Sequence, residues 1–120
     1  MKIETINLDL KLDEVSLNID TAIPCGLIVN ELVSNALKYA FTNLHKGIIY
    51  IALDSDERCY TLTVKDNGVG LPLGFNLQAV KSLGLQLVNV LTAQLEGTLE
   101  LDRTQGTEFR IRFPKIIDVK

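Results

Sequence analysis

The chain has 120 residues, which we expect to form a single domain over 1–120 with about two-thirds of its unfolded surface buried. Hydrophobic residues make up 47% and charged residues 22%, as in ordinary soluble globular proteins. The net charge is −3 and the twelve Lys and Arg residues are scattered. Neither a nucleic-acid-binding surface nor a membrane-binding basic helix is therefore expected.

The two cysteines, Cys25 and Cys59, lie far apart and have no neighbouring His or Cys. A structural zinc site takes about four such ligands, so we expect two reduced thiols and no metal bound to them. The apolar runs are too short to span a bilayer. The first residues, 1–4, lack a signal-peptide pattern, so we expect a cytoplasmic setting even if the parent protein is anchored in a membrane.

Periodicity and turn residues predict eight structured segments and one long loop. In chain order they are strands 3–10 and 15–19, a helix from an N-cap at Asp20-Thr21 to about Phe41, strands 48–53 and 60–65, a loop over 66–81, a helix over 83–95, and strands 98–103 and 107–113. Short turns over 11–14 and 54–58 separate the paired strands. This order predicts an α+β fold: a two-layer sandwich of a mixed, mostly antiparallel sheet with its helices on one face.

The first predicted helix has an unusual polar face. At 100° per residue, its polar residues share an arc of roughly 140°. They are Asn30, Glu31, Ser34, Asn35, Lys38 and Thr42. A solvated face is the ordinary explanation. However, Asn is a poor helix former, because its side chain competes for hydrogen bonds with the nearby backbone. The presence of Asn30 and Asn35 on this face therefore suggests that their side chains contact a ligand.

Glycines mark three further candidate sites. Asp66-Asn67-Gly68-Val69-Gly70 follows a predicted strand, and it suits either a strand-ending turn or close approach of a ligand whose amine donates to Asp66. Ser82-Leu83-Gly84-Leu85 begins the second helix, where free N–H groups can bind phosphate. Gly84 there costs up to about 1 kcal/mol relative to Ala, which favours a close contact. Gly106-Thr107, taken alone, is explained by a hairpin turn.

Together these segments resemble the N, G1, G2 and G3 boxes of sensor histidine kinases. The matching residues are 30–41, Asp66-x-Gly68-x-Gly70, Leu83-Gly84-Leu85 and Gly106-Thr107-x-Phe109. The resemblance covers nearly the whole chain and implies the Bergerat ATP-binding fold, which type II topoisomerases, heat-shock chaperones and mismatch-repair ATPases share. Ser82 departs from the pattern, because the commonest kinases have glycine there. With the short segment after Pro72, it resembles the subgroup with a compact lid.

The resemblance implies ATP and Mg²⁺ as ligands. Asn35 would coordinate Mg²⁺, and Glu31, one turn earlier, would support the metal or its waters. Lys38 would contact phosphate and Tyr39 would pack beside the base. The other implied contacts are Asp66 with the adenine amine, Gly68 and Gly70 at the lid hinge, Ser82, Leu83, Gly84 and Leu85 with phosphate, and Thr107 in the adenine pocket.

The implied activity is protein-histidine kinase. The γ-phosphoryl would pass to a histidine on a separate dimerisation domain of the same parent protein, and a response regulator would act downstream. This fragment is not expected to phosphorylate itself, because its one histidine, His45, has no neighbouring carboxylate. Two alternatives stay open. Glu31 also matches the general base of Bergerat-fold ATPases and is present in anti-sigma serine kinases, and the chain could be a nucleotide-binding module without catalysis.

Overall fold

In a computed structural model, the described residues are 5–12, 17–37, 46–68 and 83–115. They form two helices and five strands. In chain order these are β1 (Thr5–Leu12), α1 (Ile19–Asn35), β2 (Lys46–Ser55), β3 (Cys59–Asp66), α2 (Leu83–Gln94), β4 (Thr98–Asp102) and β5 (Thr107–Pro114).

The five strands form one sheet in the order β1-β2-β3-β5-β4. β1 and β2 run parallel, and the other three pairs are antiparallel. A parallel pair needs a long crossover connection, which α1 supplies here. The mixed, mostly antiparallel sheet and the α+β class are therefore confirmed.

The core lies between one face of the sheet and the two helices. β5 shows the expected alternation, with Thr107, Phe109, Ile111 and Phe113 buried while the residues between them are not. The helices contribute further buried apolar residues: Cys25, Ile28, Leu32 and Ala36 from α1, and Leu85, Val88 and Leu91 from α2. Because all of these form one cluster, both helices lie on the same face of the sheet, as predicted.

The start of α1 differs from the sequence prediction. The predicted strand 15–19 is wrong over its described part, since Ile19 is already helical. The predicted cap at Asp20-Thr21 is also wrong. Asn18 is the N-cap, and its side chain accepts a hydrogen bond from the Thr21 N–H at 3.0 Å. Ile19 alternates like a strand residue but is 70% exposed, so this alternation does not reflect burial.

Other boundaries shift by smaller amounts. α1 is regular to Asn35 and continues as a π-helical turn over 36–37, while its predicted extension to Phe41 lies outside the described residues. β1 includes part of the predicted turn over 11–14. The hairpin between β2 and β3 is tighter than predicted, because Asp56 accepts hydrogen bonds from the N–H groups of both Arg58 and Cys59. Neither α1 nor α2 is long and apolar enough to cross a bilayer.

Both cysteines are free, as expected. Cys25 is buried in the core and Cys59 is half-buried at the start of β3. Burial raises the pKa of the Cys25 thiol to about 11, so this thiol stays protonated and unreactive at neutral pH.

Candidate nucleotide site

The candidate site is centred on the end of β3. The alternation that buries Leu62 and Val64 also directs Asp66 toward the helix side of the sheet, where it is only 6% exposed. In the ladder with β5, Asp66 pairs with Thr107, which is 5% exposed. Strand register therefore brings together two predicted site residues that are distant in the sequence.

Backbone N–H groups surround the Asp66 carboxylate. The Gly68 N–H donates to Asp66 Oδ1 at 2.9 Å, and the Thr107 backbone N–H also donates to this carboxylate. Burial raises the pKa of Asp66 above its ordinary value, while these two hydrogen bonds lower it. None of the ion pairs among the described residues involves Asp66. An ionised carboxylate has about four acceptor positions, so capacity for a further donor remains.

Gly106 allows the turn between β4 and β5 to lie against this segment. Its φ is +78°, and a Cβ added there would meet the Asp66 carbonyl oxygen at 2.2 Å and the Asn67 Cα at 3.2 Å. Only glycine fits such an approach. Gly106 was not predicted as a site residue, although a glycine directly before Thr107 was the available signal.

The polar face of α1 forms the second part of the site. Ile28, Leu32 and Ala36 are buried on one side of the helix, whereas Glu31 and Asn35 are half-buried on another. The Nδ2 atom of Asn35 is buried and has no hydrogen-bond partner among the described residues. A buried polar atom without a partner lowers the free energy of unfolding by about 1–3 kcal/mol, and a ligand that bonds to it would recover this energy. Because the amide can rotate by 180°, its oxygen can occupy the same place.

Comparisons with known proteins show the family of this chain. Residues 21–117 match the sequence pattern of the family described as histidine kinase-, DNA gyrase B- and HSP90-like ATPases. The chain belongs to this family. Its relatives include the sensor histidine kinase PdtaS of Mycobacterium tuberculosis, which is 37% identical over 102 residues; the match covers 82% of this chain and 20% of PdtaS. The chain thus spans about a fifth of the length of that relative.

Two further relatives differ from each other in class: one is a histidine kinase and the other is an anti-sigma factor. The histidine kinase domain of the EL346 blue-light-activated histidine kinase from Erythrobacter litoralis superposes with a TM-score of 0.84 at 29% identity, covering 91% of this chain and 51% of that one. The anti-sigma F factor of Bacillus licheniformis is 36% identical, but only over 45 residues, 38% of this chain and 31% of that protein. The histidine kinase likeness therefore extends over far more of the chain.

The start of α2 is the third part of the candidate site. α2 begins at Leu83, and its first turn, 83–86, contains no acidic residue that would repel a phosphate. Gly84 is half-buried, which is compatible with a backbone contact. Leu85 is 8% exposed in the core. The side chain of Leu85 is therefore structural, and any contact it makes with phosphate must come from its backbone.

Four predicted site residues, Lys38, Tyr39, Gly70 and Ser82, lie outside the described residues, as does His45. The other predicted residues lie on α1, the end of β3, the start of β5 and the start of α2, and α1 packs against both β3 and α2. Within the described ranges, no three His, Cys, Asp or Glu side chains form a cluster that could hold a metal. Glu31 and Asn35 supply oxygen ligands of the kind Mg²⁺ takes, and Mg²⁺ needs only one or two of them beside phosphate and water.

Proposed function

We propose that residues 1–120 form one catalytic domain that binds Mg-ATP and transfers its γ-phosphoryl group to a histidine on a separate dimerisation domain of the same parent protein. The observation that supports this most directly is the buried Asp66 carboxylate, which has backbone donors on two sides and spare acceptor capacity. A buried directional acceptor of this kind suits the exocyclic amine of adenine.

The remaining residues divide between base and phosphates. Asp66 accepts from the adenine amine, and Thr107 and Tyr39 line the base pocket. Asn35 would hold the magnesium ion with support from Glu31, and this ion would supply charge neutralisation at the phosphates. The further phosphate contacts come from Lys38 and the backbone of 82–85. Gly68 and Gly70 give the chain after β3 its freedom to turn.

In the transfer step, a ring nitrogen of the acceptor histidine attacks the γ-phosphorus. A new N–P bond forms, the bond to the β,γ-bridging oxygen breaks, and ADP leaves with the electron pair. The domain contributes position and electrostatic stabilisation, since little covalent chemistry falls to the enzyme in phosphoryl transfer. The phosphate would then pass to a response regulator. The free thiols Cys25 and Cys59 suit a reducing cytoplasm.

The test is transfer in trans. With labelled ATP, the isolated domain should bind nucleotide but not label itself, because its one histidine, His45, lies on the domain that carries the nucleotide. Addition of a helical fragment from its own parent should give an acid-labile, base-stable phosphorylated product. Absence of nucleotide binding, or binding without transfer to any parent fragment, would contradict the proposal. The second outcome would favour a non-catalytic nucleotide-binding module.

Glu31 supports a second candidate, an ATPase or an anti-sigma-type serine kinase. It is half-buried on α1 one turn before Asn35, where a water-activating base would lie. Glu31→Gln separates the two functions. As an accessory to transfer, the substitution should slow labelling without ending it. Strong ATP hydrolysis by the isolated domain that disappears in Glu31→Gln would identify an ATPase instead.

A further inference from the structure

Asn67 makes a hydrogen-bond pattern that ordinary strand pairing does not explain. Its backbone N–H donates to the Ile48 carbonyl at 3.3 Å, and its side-chain Oδ1 accepts from the Ile48 N–H at 2.9 Å. In an antiparallel ladder, a hydrogen-bonded pair exchanges two bonds between backbone groups. Here the side-chain oxygen of Asn67 occupies the place of its own backbone carbonyl. We call these two hydrogen bonds between Asn67 and Ile48 the clamp.

Because a side-chain oxygen replaces the backbone carbonyl in this pair, β3 ends at a defined residue, Asp66. The preceding pair in the ladder is Ile49 with Asp66, so the Asn67 clamp on Ile48 lies directly beyond the predicted adenine-binding carboxylate. Since the Asn67 carbonyl is not needed for the ladder, the chain can leave the sheet at once. The next residue, Gly68, then directs its N–H back to Asp66 Oδ1 at 2.9 Å.

The backbone of Asn67 is also confined on its other side. Gly106 lies so close that a Cβ there would be 3.2 Å from the Asn67 Cα. The segment that follows Asp66 is thus held between β2 and the turn that precedes β5. Asn67 itself is exposed, so its side chain contributes little to the core.

We propose that Asn67 is a positioning residue of the nucleotide site, whose side-chain clamp on Ile48 holds the Asp66 carboxylate in the orientation that accepts from the adenine amine. The inference rests on the proposed nucleotide binding and deepens it. The clamp acts through Asp66, with no contact between Asn67 and the ligand.

The chain offers a matched control. Asn18 Oδ1 accepts from the Thr21 N–H at 3.0 Å, which is the same type of bond at an exposed asparagine. Asn18 caps the start of the 17-residue α1, about 25 Å along the helix from Asn35. Asn18→Ala should lower the melting temperature but leave nucleotide affinity unchanged.

The first measurement compares the Kd of ADP for the wild-type domain and three variants. Asn67→Ala removes the clamp and should raise Kd about 5- to 10-fold, as expected for loss of one well-placed hydrogen bond. Asn67→Asp keeps an oxygen at the same position and should recover most of this affinity. If Asn67→Ala binds ADP as the wild type does, or if Asn18→Ala weakens binding equally, the proposal is wrong.

The second measurement shows whether the effect passes through Asp66. In an Asp66→Asn background, measured by NMR titration, Asn67→Ala should weaken binding little further, because the group that it positions is already altered. The ratio of ATP affinities with and without Mg²⁺ should not change in Asn67→Ala. Full additivity of the two substitutions would show that Asn67 acts independently of Asp66 and would overturn the proposal.

Failures of the two proposals are distinguishable. If the wild-type domain binds no nucleotide, the proposed function fails and this inference fails with it. If the wild type binds and Asp66→Asn weakens binding while Asn67→Ala does not, only the inference fails. Should Asn67→Ala not fold, Asn67→Leu, which has nearly the size of asparagine but no hydrogen-bond acceptor, makes the same comparison with the same expected loss.

Discussion

Replacement of Asp66 by Asn tests the centre of the proposed site with the smallest change in shape. The carboxylate already accepts from the N–H groups of Gly68 and Thr107, and the adenine amine would be the third donor. A carboxylate has about four acceptor positions, whereas the single amide oxygen of Asn has about two. In the variant, at least one of the three donors must face an NH₂ group. The loss of a hydrogen bond to a charged group costs about 1.5–3 kcal/mol, which corresponds to a Kd about 10- to 100-fold higher.

Isothermal titration with ATP and ADP measures this difference, and Asp102→Asn provides the control. Asp102 ends β4 and is exposed, so its replacement makes the same change in net charge away from the buried site. We expect wild-type affinity for Asp102→Asn, and a cooperative unfolding transition for both variants. An Asp66→Asn affinity within about twofold of the wild type, roughly 0.4 kcal/mol, would refute the assignment of Asp66 to the adenine amine.

Four further predictions concern Asp66, two glycines and Asn35. Burial raises the folded pKa of Asp66 above its ordinary value. The stability that its protonation contributes is therefore complete below the unfolded pKa and is lost as pH rises through the folded pKa. In urea unfolding, the wild type should therefore lose stability relative to Asp66→Asn across that window, and equal pH slopes would contradict this. Gly106→Ala should lower the free energy of unfolding by about 2 kcal/mol or more, because of its positive φ and the clash with Asp66. Gly26→Ala should raise that free energy by about 0.5–1 kcal/mol, because a Cβ added there would meet no heavy atom of the described residues within 4 Å beyond its own stretch of helix. A change of the same sign for both glycines would refute this reasoning. Asn35→Ala should fold normally but bind ATP equally well with and without Mg²⁺, as calorimetry can test, and a retained Mg²⁺ dependence would exclude Asn35 as a ligand.

The strands of the sheet were predictable because burial follows a simple period. In β3 and β5, alternate side chains enter one core, so apolar and polar residues alternate in the sequence as well. The same rule predicted a strand over 15–19, which is wrong over its described part, 17–19. There Asn18 caps α1 and Ile19 is exposed in the first helical turn, so a short alternation arose without any sheet face behind it.

The end of α2 shows a feature that local sequence does not reveal. Glu96 has a φ of +59°, and the N–H groups of Glu96 and Gly97 bond to the carbonyls of Ala93 and Thr92, as in a Schellman motif. Glycine would be expected at the position with positive φ. Gly97 is needed one residue later, however, because a Cβ there would meet the Arg112 carbonyl oxygen at 2.7 Å. The approach of β5 therefore decides where glycine stands.

Some residues of the candidate site could also be predicted from the sequence, and others could not. Asp66 and Asn35 were identifiable as candidates: Asp66 precedes Gly68 and Gly70, whose spacing favours close approach of a ligand, and Asn35 is an asparagine within a helix. Asn67 was not, since Asn before Gly68 already has a sufficient local explanation as a turn. Its role depends on Ile48, which is 19 residues away and becomes a neighbour only through the register of β2 and β3. A residue such as Asn67, which acts by positioning another residue, is thus recognisable only when its partner strand is known, because its residue type is already explained by the local turn.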